Sequence, residues 1–156
     1  MSSLESESVD FAKKYLEDVL SFFGLNTDIH ASVDGEVIQL SVPSTHLNGF
    51  LIGQHGDTMR ALQAVIGAAL KNSDFTLTRV NVDIADYKKQ RADRLRERAE
   101  EWVKQVRDGQ ADGGSMALQP MNSADRRVVH QLAAEYGVLS ESAGVGRDRH
   151  VVLRTA

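Results

Sequence analysis

Phe50-Leu51-Ile52-Gly53-Gln54-His55-Gly56-Asp57-Thr58-Met59-Arg60-Ala61-Leu62-Gln63 is the stretch whose reading decides the fold. Gly53 and Gly56 bracket two polar residues. Immediately after them, Met59, Leu62, Val65, Ile66, Ala69 and Leu70 recur at three- and four-residue spacing, the apolar face of a helix. Before them, Leu47, Leu51 and Ile52 fit one more short helical segment. The glycines therefore belong to a tight helix–helix connection. Glycine accepts positive φ and lets another backbone approach closely. The following helix starts here, and its unpaired N–H groups favour an anion. Taken alone, the same residues also fit a capped turn, with Asp57 as N-cap and the glycines as turn residues only.

Working outward, residues 9–23 read as an amphipathic helix with Ala12, Leu16, Val19, Leu20 and Phe23 in its stripe and Gly24 as its stop. Ile29, Ala31 and Val33 alternate, as do Ile38, Leu40 and Val42, with the hairpin signal Asp34-Gly35 between them. Pro43 ends the second strand. Beyond the glycine connection, a helix over 57–71 is followed by a third strand carrying Val80, Val82 and Ile84. The order over residues 9–84 is α-β-β-α-α-β.

That order and the glycine connection together resemble a type II KH domain, whose GxxG loop grips the backbone of about four single-stranded nucleotides. The fuller pattern Ile52-Gly53-x-x-Gly56-Asp57-Thr58-x-x-Ala61-Leu62-Gln63 is similar to the KH domain of the bacterial Jag (SpoIIIJ-associated) family. KH loops often place a basic residue between the glycines, where this chain has the neutral Gln54 and His55. Because the loop reads as exposed, carboxylates at Gly53 and Gly56 are expected to leave the fold intact while repelling phosphate.

Residues 85–108 read as a long charged helix with a narrow stripe of Leu95, Ala99, Trp102, Val103 and Val106. Its basic residues are offset by acidic ones, which fits a solvated surface with a connecting role. A glycine-rich loop follows from Asp108 to Ser115, then a short strand at Met116 to Leu118, halted by Pro120. Asn122 or Ser123 caps the next helix, whose stripe is Val128, Val129, Leu132 and Tyr136. Val138 to Ser142 and Arg149 to Arg154 read as a terminal hairpin.

On that capped helix, Arg126 and His130 lie four residues apart, one turn along the same face. Arg126 supplies a planar fork suited to phosphate, and His130 a hydrogen bond and a switchable charge. The bland alternative is a helix-surface pair with His130 packed at the stripe edge. Leu118-Gln119-Pro120-Met121-Asn122-x-x-x-Arg126-Arg127-Val128-Val129-His130 resembles the start of an Arg-x-x-x-His (RxxxH) domain, a small binder of single-stranded nucleic acid that Jag proteins place after the KH domain. Ser140-Glu141-Ser142-x-Gly144-x-Gly146-Arg147-x-Arg149-His150 resembles its terminal segment, with Asp148 interrupting a run that is denser in basic residues in the family.

The expected class is α+β with two small domains: a disordered N-terminus at 1–8, a type II-like KH domain at 9–84, and at 85–156 a long connecting helix plus an RxxxH domain with a small sheet and helices. The resemblance implies nucleic-acid contacts at Gly53, Gln54, His55, Gly56 and Arg60 in the first domain. In the second it implies Arg126, Arg127, His130, Arg147 and Arg149. The expected partner is single-stranded RNA, with single-stranded DNA as a second candidate. The role implied is non-enzymatic: a bacterial post-transcriptional regulator or RNA chaperone. The alternative is an adaptor that binds a protein of the cell-envelope or membrane-insertion machinery. Many Jag proteins carry an extra N-terminal domain, and functions tied to it are not expected of this chain.

Composition bounds these readings. In a chain of 156 residues with 42% hydrophobic content there is enough apolar material for one ordinary or two small cores. Aromatics are 6%, too few for an aromatic stacking sheet. The absence of cysteine excludes disulfides and thiolate metal sites and is compatible with a cytoplasmic setting. The net charge of −4 divides unevenly: residues 1–84 hold five Lys/Arg and eleven Asp/Glu, and residues 85–156 hold thirteen and eleven. Phosphate attraction is therefore expected to be local, and stronger in the second half. No apolar run approaches a membrane span. His30, His46, His55, His130 and His150 are scattered, with no metal or cofactor motif, nucleotide loop or nucleophile turn. His130 with Asp125 or Glu135 is the one conceivable acid/base pairing, and neither a metal nor a nucleophile accompanies it.

Overall fold

Ser2 and Glu5 start the first helix reciprocally. The Glu5 N–H donates to Ser2 Oγ at 3.2 Å and the Ser2 N–H donates to Glu5 Oε2 at 2.7 Å, a capping box. Helix α1 therefore runs from Ser3 to Phe22 in the computed structural model, which describes residues 1–156. This corrects the expectation of disorder over residues 1–8. The polar composition of that stretch hides a Ser-x-x-Glu start signal, and Ser8 and Val9 are buried.

The chain divides into two compact units, residues 1–88 and 89–156. In the first, β1 (His30–Asp34) pairs antiparallel with β2 (Val37–Val42), and β2 pairs parallel with β3 (Arg79–Ile84), giving the order β1-β2-β3. The hairpin turn is Gly35-Glu36, one residue later than expected, because Asp34 still pairs with Val37. Between β2 and β3 the chain makes α2 (Asn48–Ile52) and α3 (Asp57–Asn72), completing a KH-like α-β-β-α-α-β order.

One core unites these elements. Ala12, Leu16 and Leu20 of α1, Ile38 and Leu40 of β2, Leu51 of α2, Ile66 and Leu70 of α3, and Val82 and Ile84 of β3 are all buried in it. Phe23 does not join the α1 stripe as expected. It lies past the end of the helix, is half-exposed, and meets Phe50 edge-on with centroids 5.1 Å apart. Ser8 is the single buried polar residue. Its Oγ accepts from the Leu77 N–H at 3.2 Å and donates to the Leu4 carbonyl at 3.1 Å, tying α1 to the segment that leads into β3.

The second unit is built on α4 (Tyr87–Arg107), which starts two residues before the unit boundary, and α5 (Ser123–Glu135). They pack with a sheet of order β4-β6-β5, formed by β4 (Ser115–Ala117), β6 (His150–Arg154) and β5 (Leu139–Ala143), all antiparallel. Ala99, Val103 and Val106 of α4 and Val129, Leu132 and Ala133 of α5 share a core with Val151 and Leu153 of β6. The α4 stripe thus serves the core of the second unit. On its outer side, the Tyr136 hydroxyl donates to Glu100. That bond holds the carboxyl below, and the phenol above, its ordinary pKa.

Ser8→Ala removes the acceptor of a buried N–H and leaves Leu77 unpaired. We expect a loss of about 1–3 kcal/mol in the stability of the first unit, read from urea denaturation followed by far-ultraviolet circular dichroism.

Candidate functional site

The glycine connection is a strained turn. Gly53 has φ 71°, His55 φ 54° and Gly56 φ 80°. A Cβ on Gly53 would lie 2.2 Å from Thr58 Oγ1 and 2.9 Å from the Thr58 backbone nitrogen. Gly53 is therefore a glycine for lack of space as well as for its φ. Gly56 is buried. A Cβ there would meet the Tyr87 ring at 3.2 Å and the Arg60 guanidinium at 3.3 Å. The expectation that carboxylates at both glycines would spare the fold does not hold, because neither position has room for them. The exposed positions are Gln54 and His55, the two residues between.

Gly56, in the left-handed region, occupies the cap position of α3, and no side chain caps the helix. Asp57 is the first helical residue, and its carboxylate pairs with Arg60. The N-terminal amides of α3 are left without a side-chain acceptor, while Arg60 shares its charge with Asp57. Tyr87 and Lys88 complete this end of the unit. Partial desolvation lowers the Lys88 ammonium below the lysine norm, Asp83 opposes the shift, and Arg60 assists it. Neither residue carries a sequence signal. They reach the loop because β2 and β3 run parallel with Val42 beside Ile84, so the chains leaving both strands emerge at the same end.

In the second unit, α5 is capped by Asn122, whose Oδ1 accepts from the Asp125 N–H at 2.9 Å. One face of α5 lines a cleft of about 480 Å³ with Ser123, Arg126, Arg127 and His130, and Ser142 and Arg149 join them from across the cleft. Arg126 Nη1 donates to the Met121 carbonyl at 2.6 Å, which anchors the guanidinium beside the helix start. Arg149 is held by donation from its Nη1 to the Gly144 carbonyl at 2.9 Å. Gly144 permits the tight loop that carries it: φ is 84°, and a Cβ there would lie 2.9 Å from the Asp148 carbonyl oxygen.

His130 is bonded at both ring nitrogens, Nδ1 to Ser140 Oγ at 2.7 Å and Nε2 to Ser142 Oγ at 2.9 Å. Asp125 instead binds Arg91 at 2.6 Å, and Glu135 lies 3.6 Å from Arg96, so neither forms the acid/base pair considered for His130. No group of three or more His, Cys, Asp or Glu is arranged to hold a metal.

The structure thus gathers Arg126, Arg127, His130 and Arg149 in one cleft, whereas Arg147 is exposed and does not line it. Gly53, Gln54, His55, Gly56 and Arg60 lie together at the glycine turn of the first unit. Sequence reading missed Ser140 and Ser142. The one available signal was their spacing of two on a strand, which puts both hydroxyls on the same face.

A KH-like α-β-β-α-α-β unit followed by a small sheet packed with helices defines the class, and residues 93–155 match the RxxxH domain family, named for an Arg and a His with three residues between them. Over 140 residues the chain is 31% identical to the RNA-binding protein KhpB of Lactiplantibacillus plantarum, covering 89% of this chain and 42% of that protein. It is 27% identical to KhpB of Clostridium symbiosum over 92% of this chain and 64% of that one, and 25% identical to KhpB of Bacillus subtilis over 94% and 70%. The chain therefore spans less than half of the Lactiplantibacillus protein and about two thirds of the other two. The similarity to bacterial KhpB/Jag proteins agrees with the resemblance read from the two motifs. No helix is long and apolar enough to cross a membrane.

Gly53→Ala places a Cβ at positive φ against Thr58, and we expect it to cost at least about 1–2 kcal/mol. Gln54→Asp, at an exposed position, should leave the melting temperature within about a degree. Calorimetry on both variants checks the contrast.

Proposed function

We propose that the chain is a non-enzymatic RNA-binding protein with two linked sites for the backbone of a single strand. The observation that carries the reading is the cleft of the second unit, where Arg126, Arg127 and Arg149 face one space. Three guanidinium groups in one cleft, with no carboxylate lining it, suit a phosphate diester. The first unit would add the amides at the start of α3, with Gln54 and His55 exposed beside them. Similarity to proteins named RNA-binding supports the choice of ligand. Two modest sites on one chain raise apparent affinity when both engage a single strand. A role as a bacterial transcript regulator or RNA chaperone follows from the same similarity, and the domains proposed are the KH part at 9–84 and the RxxxH part at 85–156.

A second reading, a protein adaptor, is favoured by the exposed aromatic group of Phe22, Phe23 and Phe50 on the acidic first unit. Filter binding at several salt concentrations separates the two. RNA binding through these sites should weaken with salt at a log–log slope of about −0.7 per phosphate neutralised. Absence of binding to any RNA pool at low salt would leave the adaptor reading.

Within the cleft, Arg127→Ala removes an exposed charge and should weaken binding of a single-stranded oligonucleotide by about tenfold with no change in melting. Arg126→Ala should weaken it at least as much and also lower the melting temperature, because the bond to Met121 is lost. Arg126→Lys should restore only part of the affinity, since the charge returns without the fork. Intact binding in all three would sink the phosphate assignment. For the loop, the pair Gln54→Asp and His55→Asp should reduce affinity with the circular dichroism unchanged, because Asp tolerates the left-handed conformation at position 55. Wild-type affinity there would reduce the loop to a turn.

A further inference from the structure

His130 has no ring nitrogen left over for a ligand, since Ser140 and Ser142 take both. The polarity of those two bonds has a consequence at the cleft. A neutral imidazole offers one N–H and one lone pair, and a hydroxyl offers one hydrogen and two lone pairs. One serine must therefore donate to the ring while the other accepts from it. Ser142 lines the cleft with the arginines, and Ser140 does not.

Two neutral arrangements follow. With the hydrogen on Nδ1, the ring donates to Ser140, and Ser142 points its own hydrogen into Nε2. The cleft then meets only oxygen lone pairs at Ser142, which repel an anion. With the hydrogen on Nε2, the ring donates to Ser142, and the serine hydrogen is free to turn into the cleft. Protonation of the ring enforces this second polarity, because both nitrogens then donate.

We propose that Ser142 is a phosphate ligand of the cleft, and that His130 is a positioning residue that sets which way the Ser142 hydroxyl points. The proposal rests on the phosphate-binding reading of the cleft. The other charged groups around the ring are accounted for. Arg126, Arg127 and Arg149 line the cleft with it. Glu141 of β5 pairs with Arg154 at 2.7 Å, Asp125 with Arg91, and Glu135 with Arg96. On β6, the His150 Nδ1–H donates to the Asp148 carbonyl at 2.9 Å. No carboxylate bonds the His130 ring. Phosphate thus selects the Nε2–H form, and proton uptake by His130 favours phosphate in return.

The ring nitrogens report this directly. In the ¹⁵N-labelled full chain at neutral pH, inorganic phosphate should move the His130 hydrogen onto Nε2, as read from the ring nitrogen shifts. Ser142→Ala should abolish that response. It should also weaken single-stranded RNA binding by about tenfold and flatten the rise in affinity between about pH 7.5 and 6. His130→Ala should do the same, and the double variant should lose no more than either alone. Ser142→Thr keeps a hydroxyl and should retain binding and the pH profile, which separates the ligand role from any packing loss. Wild-type affinity and pH profile in Ser142→Ala, with both lost in His130→Ala, would overturn the proposal and make His130 itself the ligand. So would a ring whose tautomer ignores saturating phosphate. A ring that answers phosphate in a chain that binds no oligonucleotide would uphold the serine assignment and overturn the RNA reading.

Discussion

Strands β2 and β3 run parallel, and a parallel pair cannot be closed by a tight turn. The chain must leave Val42, travel back along the sheet, and enter again at Arg79. Helices α2 and α3 are that return path, and their buried residues Leu51, Met59, Ile66 and Leu70 complete the core. The glycine turn between them is therefore a consequence of the sheet pairing as well as a candidate contact surface. Its tightness follows from the same source. α2 ends at Ile52 and α3 begins at Asp57, so a few residues must reverse the helix direction, and three of them take positive φ. Neither helix can shift without breaking the contact of Gly53 with Thr58.

This constraint changes what the loop can be asked to do. A turn with room at only Gln54 and His55 presents a backbone surface, and the start of α3 carries no side-chain cap. Such a surface interacts through amides and the helix dipole, which are not sequence-specific. The cationic side chains nearest to it are compromised, Arg60 by Asp57 and Lys88 by Asp83. The second unit is different. Its guanidinium groups are anchored to carbonyls, not to carboxylates, so Arg126 and Arg149 are positioned while keeping their full charge. An overall charge of −4 is thus compatible with a locally cationic cleft, because the acidic residues near α5 are matched by other arginines.

How far the sequence could be read depended on whether a feature was periodic or topological. The helical spacing of Met59, Ile66 and Leu70 and the alternation of Ile38, Leu40 and Val42 express burial directly, and these residues are in the core. The Arg126–His130 spacing likewise put both on one face of α5. Reading failed where composition outvoted a local signal, as at residues 1–8, whose serines and glutamates form a capping box and a buried hydroxyl. It failed again where a helix end, and not its period, decided exposure, as at Phe23. Tyr87, Lys88, Ser140 and Ser142 were invisible for a third reason. Each becomes significant only through its neighbour in space, Gly56 or His130, and no spacing along the chain encodes those pairs.

The serine pair also shows why a matched motif is an incomplete description of a site. Arg and His one turn apart on a helix suggest two parallel ligands reaching for the same phosphate. The geometry separates their roles. Arg126 uses one nitrogen on the Met121 carbonyl and keeps the remaining donors of its fork, whereas His130 commits both nitrogens to β5. A side chain with both polar atoms occupied influences a ligand through its partners' hydrogens. Ser142 is the partner that lines the cleft, so a hydroxyl with no charge of its own can acquire a proton-dependent direction. The packing that fixes His130 between two serines makes that direction a property of the fold. A freely rotating surface histidine would have no such control.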